Sequence, residues 1–193
     1  MGGGGVEQRV AMRAVVEARD PVGRYELYLD AQSGELLAWR QVLRFAIGDL
    51  LYDAPERWPG GQRAQYPAVL AHVVLDGAAQ TSDLDGSLSW PGSAPASLVV
   101  TARGDELTVT NVAGPDATTL LSLPDGGVAL WDAASDELVD AQLSAFVHGG
   151  RALAYARALG PGLSLFDQPL VANVNLDLEC NAYYDGSSIN FYL

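Results

Sequence analysis

The chain predicts a mainly β, α+β fold: an N-terminal β-meander, a small β-sandwich, one long helix and a C-terminal β-hairpin. Three observations predict it. Short runs alternate apolar and polar residues with period two, as in Val174-Asn-Leu-Asp-Leu-Glu-Cys180, the pattern of a half-buried strand. Turn signals such as Asp85-Gly86, Gly114-Pro115 and Asp185-Gly186 punctuate those runs. A single long stretch, about Asp136 to Leu159, carries apolar residues at helical spacing instead.

In chain order, residues 1–47 predict the meander. Val10–Val16, Tyr25–Leu29 and Glu35–Leu43 read as strands, separated by turns at Asp20-Pro-Val-Gly23 and Asp30-Ala-Gln-Ser-Gly34. The leading Met1-Gly-Gly-Gly-Gly5 lacks the basic start and apolar core of a signal peptide, and Val6 does not suit a myristoylation signal. Residues 48–67 predict a linker, because Asp53-Ala-Pro55, Trp58-Pro-Gly-Gly61 and Tyr66-Pro67 are loop punctuation. Residues 68–130 predict the sandwich, with strands at Val69–Leu75, Leu98–Ala102, Leu107–Asn111 and Thr118–Leu123.

The helix is expected to start on Ser135 as its cap, with Asp136 and Glu137 favoured by the helix dipole. Val139, Leu143, Phe146, Val147 and Ala154 form its apolar stripe, interrupted by Gly149-Gly150. Gly160-Pro161-Gly162 stops it. The closing hairpin runs Val174–Cys180, continues through Asn181-Ala-Tyr-Tyr184, turns at Asp185-Gly186 and returns as Ser188–Phe191.

Composition restricts the function. Eleven basic residues against 24 acidic ones give a net charge of −13. Nucleic acid is excluded as a partner on that ground, because its phosphates need cations to displace their counterions. An anionic membrane surface is excluded likewise, and no segment approaches the roughly 20 apolar residues of a membrane span. The lone cysteine, Cys180, leaves three readings open: a buried thiol, a reactive thiol, or half of a disulfide with a partner elsewhere.

No catalytic constellation stands out. His72 and His148 belong to no HExxH or His/Cys cluster. No GxSxG elbow and no phosphate-cradling glycine loop are present. Asp83 and Asp85 suggest a calcium loop, but position 92, where such a loop needs Glu, is Gly92. A turn capped by carboxylates is the expectation there.

Three stretches carry a family resemblance. Tyr28-Leu-Asp-Ala-Gln-Ser-Gly-Glu-Leu-Leu37 resembles the "DAxTGE" hairpin that ends the propeptides of fungalysin- and thermolysin-like proteases, with Ser33 in the Thr position. Thr81–Trp90 loosely resembles the "TDxDGxF" turn of carboxypeptidase-regulatory-like sandwich modules, with Leu88 for Phe and Ser82 as an extra residue. Trp131–Gln142, the helix behind it and Asn173–Tyr192 resemble the start of a thermolysin- or fungalysin-type zinc metallopeptidase domain, which residues 131–193 would then represent.

The resemblance implies a truncated N-terminal portion of a secreted metallopeptidase precursor, inactive alone. It implies a cleft-lining edge strand in which Asn181 and Ala182 bind an extended peptide or protein substrate, with Tyr183 and Tyr184 flanking. It assigns no catalytic and no metal residue here; zinc belongs only to a full-length homologue that carries HExxH. Implied partners are the peptide, the missing catalytic half or a protease. A second expectation stays open: a secreted, non-catalytic β-rich binding module, protease inhibitor or chaperone.

Overall fold

A computed structural model describes residues 8–19, 22–160, 162, 166–177 and 181–192. It comprises two compact units, Met1–Phe45 and Ala46–Leu193. The mainly β, α+β class is what the chain adopts. No helix among the described residues is long and apolar enough to cross a membrane.

The first unit is the meander. Strands β1 (Ala11–Arg19), β2 (Val22–Asp30) and β3 (Leu36–Gln41) pair antiparallel in that order. Glu26 lies opposite Val15 on β1 and Arg40 on β3. Arg13 sits two residues from Val15, on the same face, so both guanidiniums reach the one carboxylate. Arg13 bonds Glu26 Oε1, and Arg40 Nε donates to Oε2 at 2.7 Å. The β2–β3 turn is closed by Asp30, whose Oδ1 accepts from the N–H groups of Gln32 and Ser33 at 2.8 and 2.9 Å. Gly34 supplies the positive φ of +74° that ends the turn. Residues 20–21 of the expected first turn lie outside the described residues.

In the second unit, residues 48–67 correct the expectation of a linker: they form most of β4 (Phe45–Pro55), the turn over 56–62 and β5 (Arg63–Pro67). The alternation in β4 is inverted in size. Small residues, Ala46, Gly48 and Ala54, point inward with Leu50 and Tyr52, while Phe45 and Ile47 are exposed. Gly48 is small for a reason, since a Cβ there would stand 2.7 Å from a methyl of Leu123. β4 is flanked by β5 and by β12 (Val128–Trp131), with β8 (Ser87–Pro91) also pairing with it, in a four-stranded sheet.

The larger, eight-stranded sheet is built from β6 (Ala71–Leu75), β7 (Ala78–Thr81), β9 (Ala96–Gly104), β10 (Leu107–Asn111), β11 (Thr118–Leu123), β13 (Leu170–Leu176), β14 (Ala182–Tyr184) and β15 (Ser188–Tyr192). Its order is β14-β15-β13-β10-β9-β6-β7, with β11 also on β9. β6 starts later than expected because Leu70 turns the chain at φ +50°. The closing segment also differs from a simple strand pair. β13 ends at Leu176, just after Asn175 at φ +60°, and β15 inserts between β13 and β14, parallel to the former and antiparallel to the latter. Leu178, Glu179 and Cys180, expected to continue the strand, lie outside the described residues.

Helix α1 (Glu137–Leu159) packs on β9, β10 and β13. Its N-cap is Asp136, not Ser135: Asp136 has extended backbone, and its Oδ1 accepts from the N–H groups of Leu138 and Val139 at 3.1 and 3.2 Å. The buried stripe runs through Leu143, Phe146 and Val147 to Leu153; Ala154, expected in it, is exposed. Both sheets and the helix share one apolar core. Tyr52 joins them, edge-on to Trp131 and to Phe146 at 5.6 and 5.5 Å, with its hydroxyl donating to the Thr101 carbonyl at 3.2 Å. Burial pushes its phenol pKa up. Arg63 clamps the outer layer, giving two hydrogen bonds to Asp140 on α1 at 2.7 and 3.1 Å and two to Asp53 on β4, one to its carboxylate and one to its carbonyl.

Candidate functional site

The residues singled out in the closing hairpin sit on a sheet edge. Among the described residues β14 pairs only with β15 and ends the eight-stranded order. Its register places Ala182 opposite Phe191, Tyr183 opposite Asn190 and Tyr184 opposite Ile189. The flanking bonds, Tyr192 N–H to the Asn181 carbonyl (3.1 Å) and Asp185 N–H to the Ser188 carbonyl (3.2 Å), define which pairs exchange hydrogen bonds. Asn181, Tyr183 and Asp185 therefore turn their backbone toward β15 or its turn. By the alternation of an antiparallel ladder, Ala182 and Tyr184 turn theirs outward. Asn181 Oδ1 accepts from the Ala182 N–H at 2.8 Å, so this side chain occupies the first outward donor.

The aromatics frame this edge. Tyr183 and Tyr184 are 42% and 57% exposed. The Tyr183 ring lies 5.8 Å from that of Tyr192, and desolvation, followed by the neighbouring Tyr192 and Asp185, raises its pKa. Tyr184 donates its hydroxyl to the Gly186 carbonyl at 2.7 Å, closing over the turn.

Asp185 fixes the hairpin. Its Oδ1 accepts from the Ser187 and Ser188 N–H groups at 2.8 and 2.7 Å and from the Ser187 hydroxyl at 2.9 Å. Its Oδ2 accepts from the Ser188 hydroxyl at 2.7 Å. These bonds, led by the Ser187 backbone and the Ser188 hydroxyl, hold the carboxyl well below the usual carboxylate range. Gly186 takes φ +98° at the tip. Behind the turn, Asn173 Nδ2 donates to Asn190 Oδ1 at 2.8 Å, tying β13 to β15.

The other candidate residues are not gathered. His72 Nε2 lies 2.6 Å from Asp105 Oδ1 on an exposed face, while His148 Nε2 lies 2.8 Å from the Pro55 carbonyl, beside Tyr66. Cys180 lies outside the described residues, so its pairing with His148 is not described. Asp83 spends its carboxylate on its own turn, accepting from the Asp85 and Ser87 N–H groups at 3.1 and 2.9 Å and from the Ser87 hydroxyl at 2.7 Å. Hydrogen bonding with the Asp85 side chain, then with Ser87, keeps it well below the usual carboxylate range. Among the described residues no group of three or more His, Cys, Asp or Glu is placed to hold a metal ion.

One feature was not read from the sequence as a site. A groove of about 640 Å³ runs along the C-terminal half of α1, between Phe146 and Ala158 on one side and Pro67, Val69 and Leu84 on the other. The available signal was the glycine pair inside a helix, followed by arginines.

Compared with known proteins, the chain matches no family model, no curated protein and no solved structure.

Proposed function

We propose that this chain is a non-catalytic, peptide-receiving module, the substrate-strand portion of a secreted metallopeptidase-like precursor. An extended peptide would add beside β14 as the next strand. The observation that carries this reading is the outward edge of Ala182–Tyr184, which pairs with no further strand among the described residues and whose first donor is covered only by the Asn181 side chain, with the Asp185 turn closing the hairpin. Unpaired N–H and C=O groups on a sheet edge are a template for an incoming strand. Asn181 would release the Ala182 N–H and use its amide on the peptide. The precursor setting and the extracellular location rest on the resemblance of residues 28–37 and 131–192.

A titration of the isotopically labelled chain with an unstructured, end-blocked oligopeptide tests it. Amide shifts are expected at Ala182–Tyr184. Ala182→Pro is expected to abolish them, because Pro removes an outward donor but spares the β15 side. Shifts confined to other strands would overturn the reading. Added zinc should produce no peptide cleavage; chelator-sensitive turnover by the pure chain would also overturn it.

A further inference from the structure

The groove along α1 combines three observations that point to a ligand. Its volume, about 640 Å³, lies within the range of small-molecule sites, roughly 300–1,000 Å³. Its walls are mainly apolar, and Leu84 and Val69 on its rim are 75% and 39% exposed.

Gly150 forms part of its wall, and a Cβ added there would meet nothing within 4 Å. Glycine inside a helix costs about 1 kcal/mol relative to alanine. Its neighbour Gly149 is needed for packing, since a Cβ there would stand 2.7 Å from a Leu107 methyl. Gly150 has no such contact, and what its missing side chain leaves is space in the groove.

The third observation is charge. Arg13 and Arg40 share Glu26, Arg63 bonds Asp53 and Asp140, Arg103 bonds Asp116, and Arg157 bonds Glu106. Arg151, on the groove wall, forms no ion pair among the described residues, and the one carboxylate that lines the groove, Glu106, is engaged by Arg157; the Arg151 guanidinium lies 5.1 Å from the Tyr66 ring centroid. A planar cation lying on an aromatic ring keeps its edge donors for an anion. In a chain of net charge −13, a cation with no ion pair among the described residues, beside an apolar groove, selects a ligand with one negative end.

We infer that this groove binds a free straight-chain fatty acid, its carboxylate on Arg151 and its chain along α1 past Gly150. A neutral apolar molecule would leave Arg151 unused.

Calorimetric titration of the full chain with laurate, below its critical micelle concentration, tests the assignment, with dodecanol as the uncharged control. Laurate is expected to bind more tightly than dodecanol, by about tenfold, the scale of a charged hydrogen bond. Arg151→Gln should remove that difference and leave dodecanol binding unchanged. Gly150→Leu should weaken both by tenfold or more by filling the wall. The helical signal of each variant, measured alongside, verifies folding. Equal affinity for the acid and the alcohol in the original chain would overturn the inference. So would a laurate affinity that folded Arg151→Gln leaves intact, or no laurate binding at all.

Discussion

The two units hold themselves together by different means. Among the described residues of the first, the buried side chains are Glu26 and Asp30, both carboxylates. Met12, Val15, Val16, Leu36 and Trp39 on the same three strands are exposed. In the second unit the fully buried side chains include Trp90, Tyr52, Leu50, Leu98 and Leu143. A three-stranded sheet has too little volume to enclose large apolar groups by itself, so it relies on ladder bonds and charge-assisted contacts. Two sheets and a helix enclose a core. The lesson is that the first unit should respond to charge and the second to cavities.

The largest expected effect attacks the core. Leu143→Ala empties a site where α1 meets the sheets and should cost about 2–5 kcal/mol. Hydrogen exchange read unit by unit checks it. Amides of β9, β10 and α1 should lose protection, and amides of β1–β3 should not. Equal loss in both would mean that the units unfold as one, and the contrast would fail.

Glu26→Ala is the reciprocal test. It strips Arg13 and Arg40 of their shared carboxylate. Exchange in β1–β3 should accelerate while the urea midpoint of the second unit stays unchanged. A fall in that midpoint would show that the charge cluster matters beyond the meander.

Acid gives a smaller and more general test, and its sign follows from the depressed carboxylates. The Arg40 and Arg13 side chains lower Glu26 from its ordinary 4.5, and the Ser33 and Gln32 N–H groups lower Asp30 from 3.8. The backbone of Ser187 and the hydroxyl of Ser188 lead in lowering Asp185 from 3.8. A carboxyl with a depressed folded pKa binds fewer protons folded than unfolded. Its stabilisation is complete above the ordinary value and is lost as pH falls through the folded one. Below about pH 4, amides of β1–β3 and of the β14–β15 hairpin should lose protection before those of β9 and β10. Asp185 sharpens the comparison, since it places an acid-sensitive element inside the unit that has an apolar core. Asp185→Asn should remove the hairpin's share of the pH response and leave that of β1–β3.

Local patterns were legible where short-range chemistry decides them. The turns at Asp30–Gly34 and Asp185-Gly186 follow from an Asp side chain capping nearby N–H groups and a glycine that accepts positive φ. The helix was legible from its spacing, apart from the choice of cap and of Leu153 over Ala154. The start of β4 was hidden because its inward residues there, Ala46 and Gly48, are small and the outer ones, Phe45 and Ile47, are large, the reverse of what apolar size suggests. The parallel insertion of β15 beside β13 depends on distant pairing, which a period-two pattern does not encode. Tyr183 and Tyr184 were legible as hairpin residues, and their position on the sheet edge rested on the resemblance. The groove was not legible, because Val69, Leu84 and Gly150 meet only after folding.

The smallest effect separates the core face of α1 from its groove face by a single methyl group at adjacent positions. At Gly149 an added Cβ would stand 2.7 Å from a methyl of the buried Leu107 and press on it. Gly149→Ala should therefore destabilise the second unit by about 1–3 kcal/mol, the usual range for overpacking. At Gly150 the same methyl group enters open space, and the helix gains from reduced backbone freedom in the unfolded chain. Gly150→Ala should stabilise by about 0.5–1 kcal/mol. Paired urea denaturation curves of the two variants measure both shifts. Opposite signs at neighbouring residues would place the boundary of the apolar core between them. A loss of stability at Gly150 would mean that its face of the helix is packed, and the second unit would then be held by core contacts on the groove side of α1 as well.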